Sequence, residues 1–175
     1  MGELLGRRRG RRAGRPILAY RHGLARQLQC ARMDPGMRSL GIDFGEKRIG
    51  LAISDPGGRL AVPLTTLERR NDRSALRQIA EIARREGVGR LVLGEPVDLY
   101  GNRGPVAARV RRFGERLAEL TGLPVEWIDE ALTSVEAARR LSQAGVDVRN
   151  EPGRVDAVAA QILLQDALDR GAPEP

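Results

Sequence analysis

The order of elements legible in this sequence is that of an α/β fold. It predicts a five-stranded mixed sheet, in which a three-strand antiparallel meander is continued by parallel βα units, with helices on both faces. Three observations predict it. Two short apolar runs, Leu40–Phe44 and Ile49–Ser54, flank a polar link containing Gly45, the pattern of a β-hairpin. The triplet Leu91-Val92-Leu93 is apolar throughout, as in a strand buried on both sides in a parallel sheet. Segments with apolar residues at helical spacing follow the later strands.

The elements follow in order. Pro56-Gly57-Gly58 turns the chain into a third strand, Leu60–Leu67. Asn71 or Asp72 caps a helix whose face carries Leu76, Ile79, Ala80 and Ala83, and Gly87 ends it. After Leu91–Leu93 comes a Gly/Pro-rich loop, Gly94–Gly104. Pro105 opens a second helix with Val106, Val110, Phe113, Leu117 and Leu120 on one face and Gly122 past its end. Pro124–Ile128 is the fifth strand. Thr133 and Glu136 form a capping box for a third helix that stops at Gly145. A polar segment, Gly145–Pro152, precedes the last helix, Gly153–Arg170. Residues 37–171 thus make one domain, with a short tail at 172–175.

Charge separates a leader, residues 1–36, from that domain. The leader holds nine arginines against Glu3 and Asp34, and so carries the whole formal charge of +7; from Met37 on, 21 basic and 21 acidic residues cancel. Rich in Arg and Gly and poor in periodic apolar positions, it is expected to be disordered or to form a short helix. It reads as an arm for nucleic acid, as a transit-like peptide, or as a gene-start artefact, with Met33 or Met37 the true start. The only cysteine, Cys30, and the only histidine, His22, both lie there. That excludes an internal disulfide and fits a reducing, cytoplasmic setting. Acid–base or metal chemistry in the domain therefore falls to carboxylates. No apolar run approaches the roughly 20 residues that span a bilayer.

Sites in open α/β sheets gather beyond the carboxyl ends of parallel strands. Asp43 ends the first strand, where an apolar run would ordinarily stay apolar. Glu95 follows the fourth, Asp129 and Glu130 end the fifth, and Asp156 falls in the first turn of the final helix. Asp156 shares its helix face with Ala160, Leu163 and Ala167, so it is expected to face the sheet. Taken singly, Asp43 reads equally as a turn aspartate and Asp156 as a helix-dipole partner. Together, acids converging from separate elements need a cation, and an oxygen shell suits Mg²⁺ or Mn²⁺. In this reading Asp43 and Asp156 hold metal, with Asp129 or Glu130, and Glu95, completing the shell. Two such ions can activate water for phosphodiester hydrolysis. Lys47, Arg48, Arg103 and Arg109 are candidates to meet phosphates, each also readable as a solvated surface charge.

Four blocks occur in order: Asp43-Phe44-Gly45-x-Lys47-x-Ile49-Gly50; Gly94-x-Pro96 with Gly101; Asp129-Glu130-x-Leu132-Thr133-Ser134-x-Glu136-Ala137; and Val155-Asp156-x-x-Ala159. Together they resemble the YqgF (RuvX) family of bacterial ribonuclease H-like proteins over the whole domain. The resemblance implies a ribonuclease H-like fold and a cytoplasmic, metal-dependent nuclease. The substrate it implies is the 5′ end of pre-16S ribosomal RNA, or, by likeness to RuvC, a Holliday junction. By the same resemblance Asp43, the Asp129-Glu130 pair and Asp156 are catalytic or metal-binding. Thr133 is a further candidate to contact substrate. Two residues depart from the family pattern. Glu95 stands where leucine is usual, and reads either as a restored ligand or as a surface change in the turn. Ala131 stands where arginine is usual, which opens a third reading, a non-catalytic RNA-binding assembly factor. The hairpin Asp43-x-Gly45-x-x-x-x-Gly50 is also similar to the phosphate loop of the actin, Hsp70 and sugar-kinase ATPases, but those need two lobes. The partners expected are nucleic acid and no membrane, with the chain a monomer or homodimer.

Overall fold

The structure, a computed structural model, describes residues 37–97, 103–130, 139 and 152–171. The leader, the tail and most of the helix expected from Thr133 to Gly145 lie outside the described residues. Five strands form one sheet in the order β3-β2-β1-β4-β5: β1 Arg38–Phe44, β2 Arg48–Ser54, β3 Ala61–Glu68, β4 Val88–Pro96 and β5 Val125–Glu130. Pairs β1–β2 and β2–β3 are antiparallel, and β1–β4 and β4–β5 are parallel. This is the expected meander joined to parallel units. Helices α1 (Asp72–Arg85), α2 (Pro105–Thr121) and α3 (Pro152–Gly171) complete the described elements.

Strand alternation sorts the apolar residues onto two faces. Leu40, Ile42, Ile49, Leu51, Leu91 and Leu93 meet α1 through Leu76 and Ile79, and α2 through Val110, Phe113 and Leu117. On the other face Ala52, Val92 and Ile128 meet α3 through Ala160, Leu163, Leu164 and Ala167. The small residues of α3 let it lie close. A Cβ added at Gly41 would stand 2.7 Å from Leu164 Cβ and 2.8 Å from the Ala160 carbonyl oxygen, so β1 and α3 touch backbone to backbone there. The same helix also covers the start of edge strand β3. Ala61 N–H donates to Gln165 Oε1 (2.9 Å), and Gln161 Nε2 donates to the Ala61 carbonyl (2.9 Å). Among the described residues no helix is long and apolar enough to cross a membrane.

Several boundaries differ from those read in the sequence. Leu60 belongs to the turn, because the Asp55 carboxylate accepts its N–H (2.9 Å) along with those of Gly57 and Arg59. Strand β4 runs past Leu93 through Gly94, Glu95 and Pro96, since β5 pairs alongside at Glu95–Asp129 and Pro96–Glu130. Pro96 is tolerated as the last ladder residue, where a missing N–H costs little. Val106 and Leu120 are each 53% exposed; the buried stripe of α2 is Ala107, Val110, Phe113, Gly114 and Leu117. Helix α3 begins at Pro152, which puts Asp156 beyond its first turn and outside the reach of the helix dipole.

Candidate active site

The acids converge on one end of the sheet, but on two different faces. Asp43 alternates with Gly41 and so emerges on the α3 side. It sits opposite Gly50 in the β1–β2 ladder. Gly50 is the point at which α3 crosses: a Cβ added there would lie 1.9 Å from the carbonyl oxygen of Asp156. Only glycine allows that approach. The two acids therefore come from adjoining backbones onto the same side. Arg48, two residues before Gly50 and on the same face, donates from Nε to Asp156 Oδ2. Thr66 Oγ1 donates to the Gly153 carbonyl (2.5 Å), tying the first turn of α3 to β3. Position 130 falls in the same alternation as Ile128, whose side chain belongs to the α3-side cluster.

Glu95 and Asp129 lie across the sheet from these, on the α2 side. Glu95 alternates with Leu91 and Leu93 and is buried. Arg111 of α2 grips it with two bonds, Nε to Oε1 (2.5 Å) and Nη2 to Oε2 (2.7 Å). Arg103 adds Nε to Oε2 (2.8 Å) and bridges onward from Nη2 to Asp129 Oδ1 (2.9 Å). The Arg111 guanidinium also stacks on Trp127, 5.0 Å from the ring centroid. The Arg111 hydrogen bonds, helped by Arg103, hold the Glu95 carboxyl below its ordinary range against the opposing effect of burial. The same pairing holds both guanidinium groups still more firmly protonated. Arg103 and Arg111 are 49% and 43% exposed, so Glu95 is roofed by two arginines at the sheet rim, not sunk in the apolar core.

The other expected site residues are placed as follows. Lys47 is exposed in the link between β1 and β2. Arg109 is half-exposed, with Nη1 3.9 Å from Glu46 Oε1. Thr133 lies outside the described residues, as does the Glu130 side chain. Two arginines matter that sequence reading did not single out. Arg69 braces the hairpin link: its N–H donates to the Lys47 carbonyl (2.8 Å), its Nη1 to the Glu46 carbonyl (2.8 Å), and its guanidinium lies 4.5 Å from the Phe44 centroid. Its Nε also donates to Asp72 Oδ1 (2.9 Å), a local partner legible in the sequence, but its hold on the hairpin link is not. Arg111 did leave a signal: it lies four residues after Ala107 and three before Gly114, within the buried stripe of its helix. A charge on that stripe needs a partner, and Glu95 is it.

Among the described residues no three acidic, histidine or cysteine side chains are grouped to hold a metal ion. What the α3 side offers is a pair of hard oxygen donors, Asp43 and Asp156. Such a pair suits Mg²⁺ or Mn²⁺, which are commonly held by one or two carboxylates together with substrate phosphates.

Comparison with known proteins agrees with this architecture. The sequence model of the RuvX family, described as Holliday junction resolvase, matches residues 37–170. A protein of Anaeromyxobacter dehalogenans named "Putative pre-16S rRNA nuclease" is 47% identical over 137 residues, 78% of this chain and all of that protein. One of the same name from Chloroflexus aggregans is 46% identical over 130 residues, 74% of this chain and 92% of that protein. Among solved structures, T. thermophilus RuvC in complex with Holliday junction substrate superposes with a TM-score of 0.50 at 16% identity, covering 77% of this chain and 94% of that one. That last likeness is one of fold. The chain is thus a member of the RuvX (YqgF) family and, with it, of the hydrolases that act on phosphodiester bonds.

Proposed function

We propose that this chain is a metal-dependent endonuclease of the cytoplasm that acts in 5′-end maturation of pre-16S ribosomal RNA. The observation that carries the reading is the crossing at Gly50, which brings Asp43 and Asp156 onto one face of the sheet. Asp43 and Asp156 would hold the ion, Mg²⁺ or Mn²⁺, with Glu130 as the further donor by its strand position. When bound, such an ion stabilises the leaving oxygen and lowers the pKa of a water. The chain's own part is to fix these carboxylates on rigid elements and to offer cations to the phosphate backbone. Lys47, exposed in the link after β1, and half-exposed Arg109 are the cations assigned to this. Arg103 is already engaged by Glu95 and Asp129 and serves first to hold that corner together. Glu95, gripped by two arginines on the opposite face, is assigned to structure, not to the metal shell.

The names of the relatives favour the RNA substrate. A second reading, cleavage of four-way DNA junctions, is favoured by the family description and the RuvC-like fold. A resolvase would act as a two-fold dimer making paired cuts. The test is cleavage of a pre-16S 5′-leader RNA and a four-way junction side by side, in Mn²⁺ or Mg²⁺ against EDTA, with Asp43→Asn as control. Metal-dependent cutting of the RNA, lost in the variant, is expected. Paired cuts in the junction would move the assignment to resolvase. Intact binding with no cutting would favour an RNA-binding assembly factor.

A further inference from the structure

We propose that Arg48 is a built-in counter-ion that competes with a divalent cation for Asp156, so that metal enters this site by displacing a guanidinium. The inference rests on the metal-nuclease reading above and concerns what the site does before the ion arrives. Arg48 opens β2 on the face that meets α3, and its Nε donates to Asp156 Oδ2. Two positions on, Gly50 brings the Asp156 backbone against the strand that faces Asp43. Two carboxylates brought together in this way repel each other unless a cation stands by.

The exposure of the pair says that it can open. The Arg48 side chain is 40% exposed and that of Asp156 22%, so the guanidinium can swing into water without being buried unpaired. Glu95 provides the contrast in the acid: its side chain is 1% exposed and holds three nitrogen–oxygen contacts from Arg111 and Arg103, so removing either arginine would leave a buried carboxylate short of a partner. Arg48 opposes an incoming ion twice, by occupying a carboxylate oxygen and by its own charge. Once displaced, it stands next to exposed Lys47 at the sheet end as a second cation for a backbone phosphate. Its contact with substrate would thus be conditional on the ion.

The test is Mn²⁺ binding to the full chain by titration calorimetry, with thermal melts in EDTA and in Mn²⁺, for the parent, Arg48→Gln, Arg48→Lys and Asp156→Asn. Arg48→Gln, which removes a positive charge at close range from the incoming ion, is expected to bind Mn²⁺ about tenfold more tightly. It should also melt lower than the parent in EDTA and regain that loss in Mn²⁺. Arg48→Lys, which keeps the charge but not the fork, should lie between the two and serves where Arg48→Gln folds poorly. Unchanged or weaker Mn²⁺ binding in both Arg48 variants would overturn the proposal; weaker binding would make Arg48 a residue that orients Asp156 for the ion. Failure of the underlying reading looks different: neither the parent nor either Arg48 variant binds Mn²⁺, or Asp156→Asn binds it as well as the parent, and the proposal then falls with it.

Discussion

Asp43 and Glu95 leave neighbouring strands at the same end of the sheet, yet they meet opposite surroundings. Asp43 emerges beside α3, where Gly50 admits Asp156 and, among the described residues, half-exposed Arg48 answers the Asp156 carboxylate. Glu95 emerges beside α2, where Arg111 and Arg103 answer it completely and Trp127 supports the guanidinium. Ladder register sets Ile42 beside Leu93, so Asp43 lies one residue past this pair and Glu95 two. That single-residue difference turns the side chains to opposite faces. Being at a strand's carboxyl end is therefore not enough to make an acid part of a site. Its parity, and whether the facing helix brings a small residue or an arginine, decides between chemistry and structure.

The largest expected effect is on the α3 side. Asp43→Asn and Asp156→Asn should each lower metal-dependent cleavage by at least about 100-fold while leaving the melting curve nearly unchanged, since ligands matter more than the outer partners whose loss costs 10–100-fold. Gly50→Ala comes next. Its methyl would collide with the Asp156 carbonyl, so α3 must shift, and a loss on the order of 1–3 kcal/mol should appear in chemical denaturation along with reduced cleavage. On the α2 side Glu95→Gln should cost about 1–2 kcal/mol, because both arginines lose a carboxylate but can partly hydrate, and should change cleavage less than tenfold. The smallest effect is a pH dependence. A carboxyl held below its usual range stabilises the fold at pH above about 4.5 and loses that contribution as pH falls through its folded-state value. Denaturation midpoints of the parent should therefore fall more steeply below that pH than those of Glu95→Gln. Equal acid limbs would break the distinction drawn between the two faces.

The sheet was legible because its strands announce themselves by apolar runs and glycine turns, and the helices by spacing and caps such as Asn71, whose Oδ1 accepts the Ser74 N–H (2.8 Å). The candidate acids were legible as residues. Their division between two faces was not, because it depends on β4 and β5 continuing past Leu93 and Ile128. Local composition, with Gly94 and Pro96, argued for a loop; the partner strand that keeps it a ladder comes some thirty residues later. Arg111 could have been flagged as a charge within an apolar stripe, whereas Arg69 acts through backbone carbonyls that no sequence pattern marks.

The measurement that tests the account most directly is cleavage of the pre-16S leader RNA in Mn²⁺ by Asp156→Asn and Glu95→Gln in parallel. Asp156→Asn is expected to be inactive, and Glu95→Gln to cut within tenfold of the parent at the same sites. An inactive but folded Glu95→Gln, or an Asp156→Asn that still cuts, would contradict this and return the chemistry to the α2 face.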